Sequence, residues 1–294
     1  MTQHLVRFDW AMKKLLRSKA NFGILEGFLS ELLGYDLKII NILESESNKE
    51  EEDGKYNKVD ILVELADGEI VIVEVQVNTE YDYFHRMLFG TSKIISEHMK
   101  TGQTYSNVKK VYSVNVLYFN LGHGDDYIYH GTTYYTGIHS KNPLGLTEKQ
   151  KALYQKEYVH QIYPEYYLIN VNQFNDVAKN TLDEWIYFLK NEEIKEEFRA
   201  KGLLEAKEKL DSFKLPEPER RDYDKFVENL RYRESMTEST FDSGKIEGKR
   251  EGKREVAKKL KDMGVANEII QQATGLSVDE MDKIFSKNSF ENKQ

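Results

Sequence analysis

The segment from Asp60 to Gln76, DILVELADGEIVIVEVQ, constrains the fold of this 294-residue chain more than any other stretch. Apolar residues recur at every second position on both sides of the turn sequence Ala-Asp-Gly. Such alternation predicts a β-hairpin, because residues two apart share one face of a strand. One face is entirely apolar and is typical of a strand that packs on a core: Ile61, Val63, Leu65, Val71, Val73, Val75 and Val77.

The opposite face of the hairpin mixes apolar and polar side chains. Its members are Asp60, Leu62, Glu64, Ile70, Ile72, Glu74 and Gln76. Because about half of this face is apolar, we expect another element to cover it. Carboxylates that are buried by such a cover need partners.

The turn decides which residues meet across the hairpin. A two-residue loop of Asp67 and Gly68 would set Asp60 against Val75 and mix the two faces. A three-residue loop that begins at Ala66, with Gly68 in the left-handed conformation, keeps the valine face intact. The apolar pattern therefore favours the longer loop.

The longer loop gathers polar side chains at one end of the hairpin, with Asp60 opposite Glu74 and Lys58 opposite Gln76. The two carboxylates repel each other unless a cation neutralises them. Mg²⁺ or Mn²⁺ suits such oxygen ligands, and the backbone carbonyl of Val75 is a further candidate ligand. A metal ion held there can activate water for attack on a phosphodiester. The alternative is a solvent-facing hairpin with ordinary polar residues.

Asp60 and the tripeptide Glu74-Val75-Gln76 resemble the Asp…Glu-x-Gln form of the PD-(D/E)XK nuclease superfamily, in particular its recombination-promoting nuclease or transposase family. The resemblance continues through FHRMLFGTSKI, VYSVNVLYF, YPEYYLINV, LDEWIYFLK and the lysine-rich, glycine-spaced C-terminal tail. It implies an α/β fold with a restriction-endonuclease-like core, in which helices flank a mixed central sheet. A helical C-terminal extension follows that core.

The resemblance also implies magnesium-dependent cleavage of DNA, with Asp60 and Glu74 as metal ligands. Arg86 matches a recurrent arginine and is a candidate phosphate-binding residue, although a surface pair with Asp82 is the alternative. Gln76 stands where most of the superfamily has lysine, and a neutral amide cannot donate positive charge. Lys58 or Arg86 is therefore expected to provide that charge.

Two helices are expected around the hairpin. NFGILEGFLSELLG predicts an opening amphipathic helix that ends at Gly34. In the superfamily an acid on the first helix sometimes assists the metal site, so Glu26 is a candidate ligand, with a solvated glutamate as the alternative. A second helix is predicted from the capping pair Thr79 and Asp82 to about Met99. Its expected buried side carries Phe84, Met87, Leu88, Ile94 and Ile95.

Further strands are predicted near residues 108–120, 127–135 and 166–171, and a helix from Leu182. We divide the chain into a nuclease-like core (1–175), a helical extension packing on the core (176–240) and a tail (241–294). The tail joins a basic helix with glycine at every fourth position to a sequence typical of a helix-turn-helix. It is either a DNA-contacting arm or a solvated or self-associating extension.

Composition narrows the class of protein. The chain has no cysteine, which excludes disulfides and thiolate metal sites and suggests a reducing, cytoplasmic location. No apolar run approaches a membrane span. The net charge of −8 means that contact with DNA must come from a local basic surface. Two classes of protein remain. One is a DNA endonuclease, for which a homodimer is expected because double-strand cleavage often employs two active sites. The other is a non-catalytic protein that binds nucleic acid or protein.

Overall fold

The computed structural model describes residues 5–43, 60–99 and 102–291. Within them a six-stranded mixed sheet is flanked by helices, which confirms the predicted fold class. Its strands are β1 (Ile39–Ile42), β2 (Ile61–Leu65), β3 (Ile70–Gln76), β4 (Val111–Leu117), β5 (Ile128–Gly131) and β6 (Glu165–Asn170). The order across the sheet is β1-β2-β3-β4-β6-β5. The β3–β4 and β4–β6 pairs are parallel and the other pairs antiparallel.

The helices of the described chain are α1 (Phe8–Lys14), α2 (Phe22–Leu33), α3 (Tyr83–Glu97), α4 (Glu148–Tyr154), α5 (Thr181–Asn191), α6 (Leu203–Lys209), α7 (Glu217–Asp262), α8 (Asn267–Thr274) and α9 (Val278–Glu291). Gly34 ends α2 with a φ of 77°, as predicted. The expectation that α2 opens the fold is wrong, since α1 precedes it. None of these helices combines the length and apolar character needed to cross a membrane.

The hairpin has the predicted register. Ile61 pairs with Val73 and Val63 with Val71, and the amide of Leu65 donates to the carbonyl of Glu69 at 2.9 Å. Gly68 adopts a φ of 83°, so the three-residue loop is confirmed. Strand β1 was not predicted; it pairs with β2 and gives that strand its second neighbour.

Helix α3 covers the mixed face of the hairpin. Ile94 of α3 packs with a cluster of buried strand residues, namely Leu62, Ile70, Ile72 and Val111. The capping pair predicted at Thr79 is wrong, because Asp82 is the N-cap residue and its side chain makes no cap bond. Phe84 and Leu88 were placed on the wrong side of this helix, since both are more than half exposed.

A second helical layer is joined by aromatic packing. The ring of Phe8 lies 5.7 Å from that of Phe28 and 6.2 Å from that of Phe188, and so connects α1, α2 and α5. Helix α2 also approaches the start of α6 closely at Gly27. A Cβ atom there would lie 2.3 Å from the carbonyl oxygen of Lys201 and 2.7 Å from the Cα of Gly202. Only glycine permits this approach.

The chain divides into two compact units, Met1–Tyr223 and Asp224–Gln294. In the second unit, an apolar cluster joins the end of α7 to α8 and α9, through Ala257, Ile270, Leu276, Met281 and Ile284. Gly275, where the helix-turn-helix pattern of the tail predicts the turn, adopts a φ of 66°. Ser277 caps α9 by accepting from the amide of Glu280 at 3.2 Å. The predicted domain limits at residues 175 and 240 stay predictions.

Candidate active site

Asp60 lies in a bend immediately before β2, at the open end of the hairpin. Its Oδ2 accepts a hydrogen bond from the backbone amide of Val75 at 2.7 Å, which ties it to the strand that carries Glu74. The guanidinium of Arg17, a residue that the sequence did not single out, donates to the carbonyl oxygen of Asp60 at 2.7 Å. Asp60 is thus held from both sides, by a neighbouring strand and by the chain that follows α1.

Glu74 is the buried carboxylate of the site, with a relative exposure of 5%. Burial raises its pKa to about 7; the nearby Arg86 opposes this rise, and the negative charge of Asp60 adds to it. Nη2 of Arg86 lies 3.5 Å from Oε2 of Glu74. In the absence of a cation, this carboxyl group therefore holds a proton well above the pH at which an ordinary glutamate loses it.

Tyr83 and Asn115 complete the surroundings of Glu74. Asn115 is the partner of Glu74 on the parallel strand β4, and the hydroxyl of Tyr83 donates to Oδ1 of Asn115 at 3.0 Å while lying 3.5 Å from Oε2 of Glu74. The amide of Asn115 donates to Ser113 and to the carbonyl oxygen of Tyr167. These hydrogen bonds fix the positions of the Tyr83 hydroxyl and the Asn115 side chain next to the buried carboxylate of Glu74.

Gln76 and Arg86 share one acceptor, the carboxylate of Glu80. Nε2 of Gln76 donates to Oε1 of Glu80 at 2.6 Å and to the carbonyl oxygen of Asn78 at 3.3 Å. Nη1 of Arg86 donates to the two oxygens of Glu80 at 2.7 and 3.0 Å. Because the amide hydrogens of Gln76 are used in this way, its Oε1 atom is the group that it can present to the site. The alternative pair of Arg86 with Asp82 is replaced by the pair with Glu80.

Glu26 has partners at the start of β1 and on the residue before it. Its Oε1 accepts from the backbone amide of Ile39 and its Oε2 from Nζ of Lys38, both at 2.8 Å. These contacts attach α2 to the edge of the sheet, and they account for the burial of Glu26. Its predicted role as a metal ligand stays a prediction. Lys58 lies outside the described residues. The segment from Ser45 to Gly54, for which the sequence predicts a loop, also lies outside them.

Sequence reasoning missed Glu80, Tyr83, Asn115 and Arg17. Tyr83 looks like an ordinary core residue. Asparagine is uncommon in strands, but only the parallel pairing of β3 with β4 brings Asn115 beside Glu74. Glu80 had a signal, since it lies six residues before Arg86 and an arginine at the start of a helix often pairs with a nearby acid. Arg17 gave none, because its contact is with a backbone atom 43 residues away.

The donor groups suit a hard divalent cation. Asp60 and Glu74 offer carboxylate oxygens, and desolvation next to a second negative charge is the situation that a bound cation relieves. Among the described residues, no group of three or more histidine, cysteine, aspartate and glutamate side chains is arranged to hold a metal. A cation would therefore draw on two carboxylates and on neutral oxygens, such as the carbonyl of Val75 and water.

Comparison with known families agrees with this arrangement. Residues 6–239, which include the whole sheet and every residue of the site, match the model of the PD-(D/E)XK nuclease family transposase. Comparisons with curated proteins and with solved structures gave no match. Because the family model spans far more than half of the sequence, this chain belongs to the PD-(D/E)XK nuclease family transposases.

Proposed function

We propose that the protein is a divalent-metal-dependent endonuclease that hydrolyses phosphodiester bonds of DNA. Family membership supports a nuclease- or transposase-like function. The observation that carries the proposal is the position of Glu74: a buried carboxylate beside Asp60, with a pKa raised to about 7 and an arginine within 3.5 Å. A structural ion pair does not need a second carboxylate next to it, whereas a cation site does.

In this proposal Asp60 and Glu74 hold Mg²⁺ or Mn²⁺, together with the Val75 carbonyl. When bound, the cation polarises the phosphate and lowers the pKa of bound water. The hydroxyl of Tyr83 and the side chain of Arg86 orient the Glu74 carboxylate. Arg86 also brings a positive charge to the place where negative charge develops on the phosphate.

Gln76 takes a role different from that of the usual lysine. Its amide hydrogens are directed at Glu80 and Asn78, so Oε1 is the atom that can accept a hydrogen bond from the attacking water. Glu80 acts through Gln76 and Arg86, and we assign it as a positioning residue. Positive charge in the site then comes from Arg86.

Cleavage of supercoiled plasmid with Mg²⁺ or Mn²⁺ tests the proposal. The wild-type protein should convert the plasmid to nicked or linear forms, and Asp60→Ala and Glu74→Ala should each reduce the rate at least about 10²-fold. Glu64→Ala is the matched control, because Glu64 lies on the same hairpin but pairs with Lys109. Equal activity of all four proteins would refute the assignment of the site.

The second candidate is a weakly active or inactive nuclease-fold protein that binds nucleic acid or protein. It is favoured by the neutral Gln76 at the position of the lysine, and by the engagement of Arg86 with Glu80. DNA binding without cleavage in either metal would select this candidate. A role in recombination or mobile-element transfer, a homodimer and a cytoplasmic location stay predictions.

A further inference from the structure

The proposed substrate is a polyanion, whereas the chain carries a net charge of −8. Contact with the sugar-phosphate backbone therefore requires a local surface on which cations outnumber acids. The surface must also lie beside Asp60 and Glu74, since DNA has to reach both at once. The sequence suggested the glycine-spaced tail as a candidate, but the first compact unit has a basic surface of its own.

Arg17 lies next to the site. Its Nη2 donates to the carbonyl oxygen of Asp60 at 2.7 Å, and its side chain is exposed. A guanidinium has five hydrogens in a planar fork, so one bond to a carbonyl leaves several directed at solvent. In the described part of the chain, Arg17 makes no ion pair with a carboxylate. Its positive charge is therefore available to a phosphate that approaches Asp60.

Arg17 belongs to a basic stretch of sequence, KKLLRSK, which spans residues 13–19 and contains no acid. The stretch is anchored by Leu16, which is fully buried, and by a bond of 2.8 Å from Nδ2 of Asn21 to the carbonyl oxygen of Leu15. Lys19 is exposed beyond Arg17. A fixed backbone that presents cations loses little conformational entropy when a ligand binds.

A cavity of about 380 Å³ adjoins this stretch, and Lys14, Leu15 and Ser18 are among the residues that line it. Three lysines and two glutamates are among its lining residues: Lys14, Lys209, Lys214, Glu208 and Glu219. Nζ of Lys209 contacts the carbonyl oxygen of Ala20 at 3.1 Å and Oδ1 of Asn21 at 3.2 Å, which places it over the turn that follows Lys19. Cations thus extend from Asp60 towards α6. Lys14 pairs with Asp222 at 3.4 Å and Lys214 with Asp211 at 3.8 Å, so the cations that have no carboxylate partner among the described residues are Arg17, Lys19 and Lys209.

We propose that Arg17, Lys19 and Lys209, with the ion-paired Lys14 and Lys214 beside them, form a basic edge that binds the phosphate backbone of duplex DNA next to the scissile bond. The inference rests on the proposed function and adds to it the surface on which the substrate lies. Arg17 has two roles in this proposal, because it holds the backbone of Asp60 and also binds a phosphate of the DNA. Lys19 has one role only, since none of its described contacts involves the site.

Binding of the full-length chain to a fluorescein-labelled DNA duplex tests the basic edge. Anisotropy is measured in a chelator, which prevents cleavage, over a range of NaCl concentrations. The test variant is Arg17→Gln/Lys19→Gln, in which glutamine at 17 still offers a donor to the carbonyl of Asp60. The control is Lys149→Gln/Lys179→Gln, which removes the same charge from two exposed positions elsewhere in the first unit.

The Kd of the test variant should rise about tenfold or more, and the slope of log Kd against log [NaCl] should decrease by about 2, because each lost phosphate contact contributes about 0.9. The control should bind like the wild type. A test variant that matches the control in both Kd and slope would overturn the basic edge. The single variant Arg17→Gln gives a second check. If it reproduces the whole rise in Kd and leaves the slope of log Kd against log [NaCl] unchanged, the basic edge is also overturned, since Arg17 would then act only through Asp60.

Failure of the underlying proposal looks different. A wild-type protein that neither binds DNA nor cleaves plasmid with Mg²⁺ or Mn²⁺ would reject the endonuclease itself. A wild-type protein that cleaves plasmid, and whose Arg17→Gln/Lys19→Gln variant cleaves at the same rate over the same salt range, would reject the basic edge alone.

Discussion

Replacing Glu74 by glutamine should stabilise the metal-free protein at high pH. Burial raises the pKa of Glu74 from 4.5 to about 7, so the folded protein binds this proton more tightly than the unfolded chain does. The wild type therefore loses stability as the pH rises from about 4.5 to 7, and the loss is complete above pH 7. A pKa difference of this size corresponds to about 3 kcal/mol of unfolding free energy. Glutamine, which is neutral at every pH, avoids this loss.

Urea unfolding in a chelator measures the effect. Both tryptophans, Trp10 and Trp185, belong to the compact unit that contains the site, so their fluorescence reports its unfolding. The stability difference between Glu74→Gln and the wild type should grow by about 3 kcal/mol between pH 4.5 and pH 8.5. Mg²⁺ at millimolar concentration should then stabilise the wild type more than the variant, because the cation binds the ionised carboxylate.

A control of opposite sign lies on the same hairpin. The hydrogen bond from Lys109 lowers the pKa of Glu64, so ionised Glu64 adds stability above pH 4.5 that is lost as the pH falls. Glu64→Gln should therefore destabilise the protein at pH 8.5. If Glu74→Gln shows the same difference from the wild type at both pH values, the pKa of Glu74 is not raised in the folded protein and the reasoning fails.

Three further outcomes follow from contacts described above. Gly27→Ala should destabilise the first unit by about 1–3 kcal/mol, because its Cβ would meet backbone atoms of Lys201 at 2.3 Å, and unchanged urea unfolding would refute that close approach. Gly244→Ala, with nothing within 4 Å of its Cβ, should instead raise helix stability by about 1 kcal/mol, which circular dichroism of thermal unfolding measures. Glu80→Ala should lower kcat for plasmid cleavage roughly 10²-fold with little change in unfolding, since Gln76 and Arg86 lose their common acceptor. Glu80→Gln, which keeps an acceptor, should recover part of that rate, and an unaltered kcat in both variants would remove Glu80 from the site.

The hairpin was predictable in detail because two local signals agree there. The valine face required a register, and Gly68 permitted the loop that produces it. Helix α2 and its stop at Gly34 were predictable for a similar reason, since apolar periodicity and a left-handed cap coincide. Local patterns of this kind are read correctly when chain neighbours determine them.

The contacts around the site were less accessible, because they depend on pairing between distant segments. Asn115 reaches Glu74 through the parallel β3–β4 pair, and parallel registers leave no mark on the sequence. The buried side of α3 was misjudged at Phe84 and Leu88, which an apolar count assigns to the core. The helix instead turns Tyr83 inward, and a tyrosine at a helix start does not indicate by itself that it will contact a carboxylate.

Helix α3 contributes both to the candidate active site and to the hydrophobic core. Its buried stripe begins with Tyr83 beside Glu74 and ends, about three turns later, with Ile94 in the apolar cluster under the hairpin. Because the helix is rigid, a movement of one end displaces the other. Packing of Ile94 in the apolar cluster therefore also restricts the movement of Tyr83 and Arg86. Amide protons along α3 should accordingly exchange only when the whole sheet opens. Substitutions that loosen the packing of Ile94 should disturb the position of Tyr83 beside Glu74, some 16 Å away along the helix.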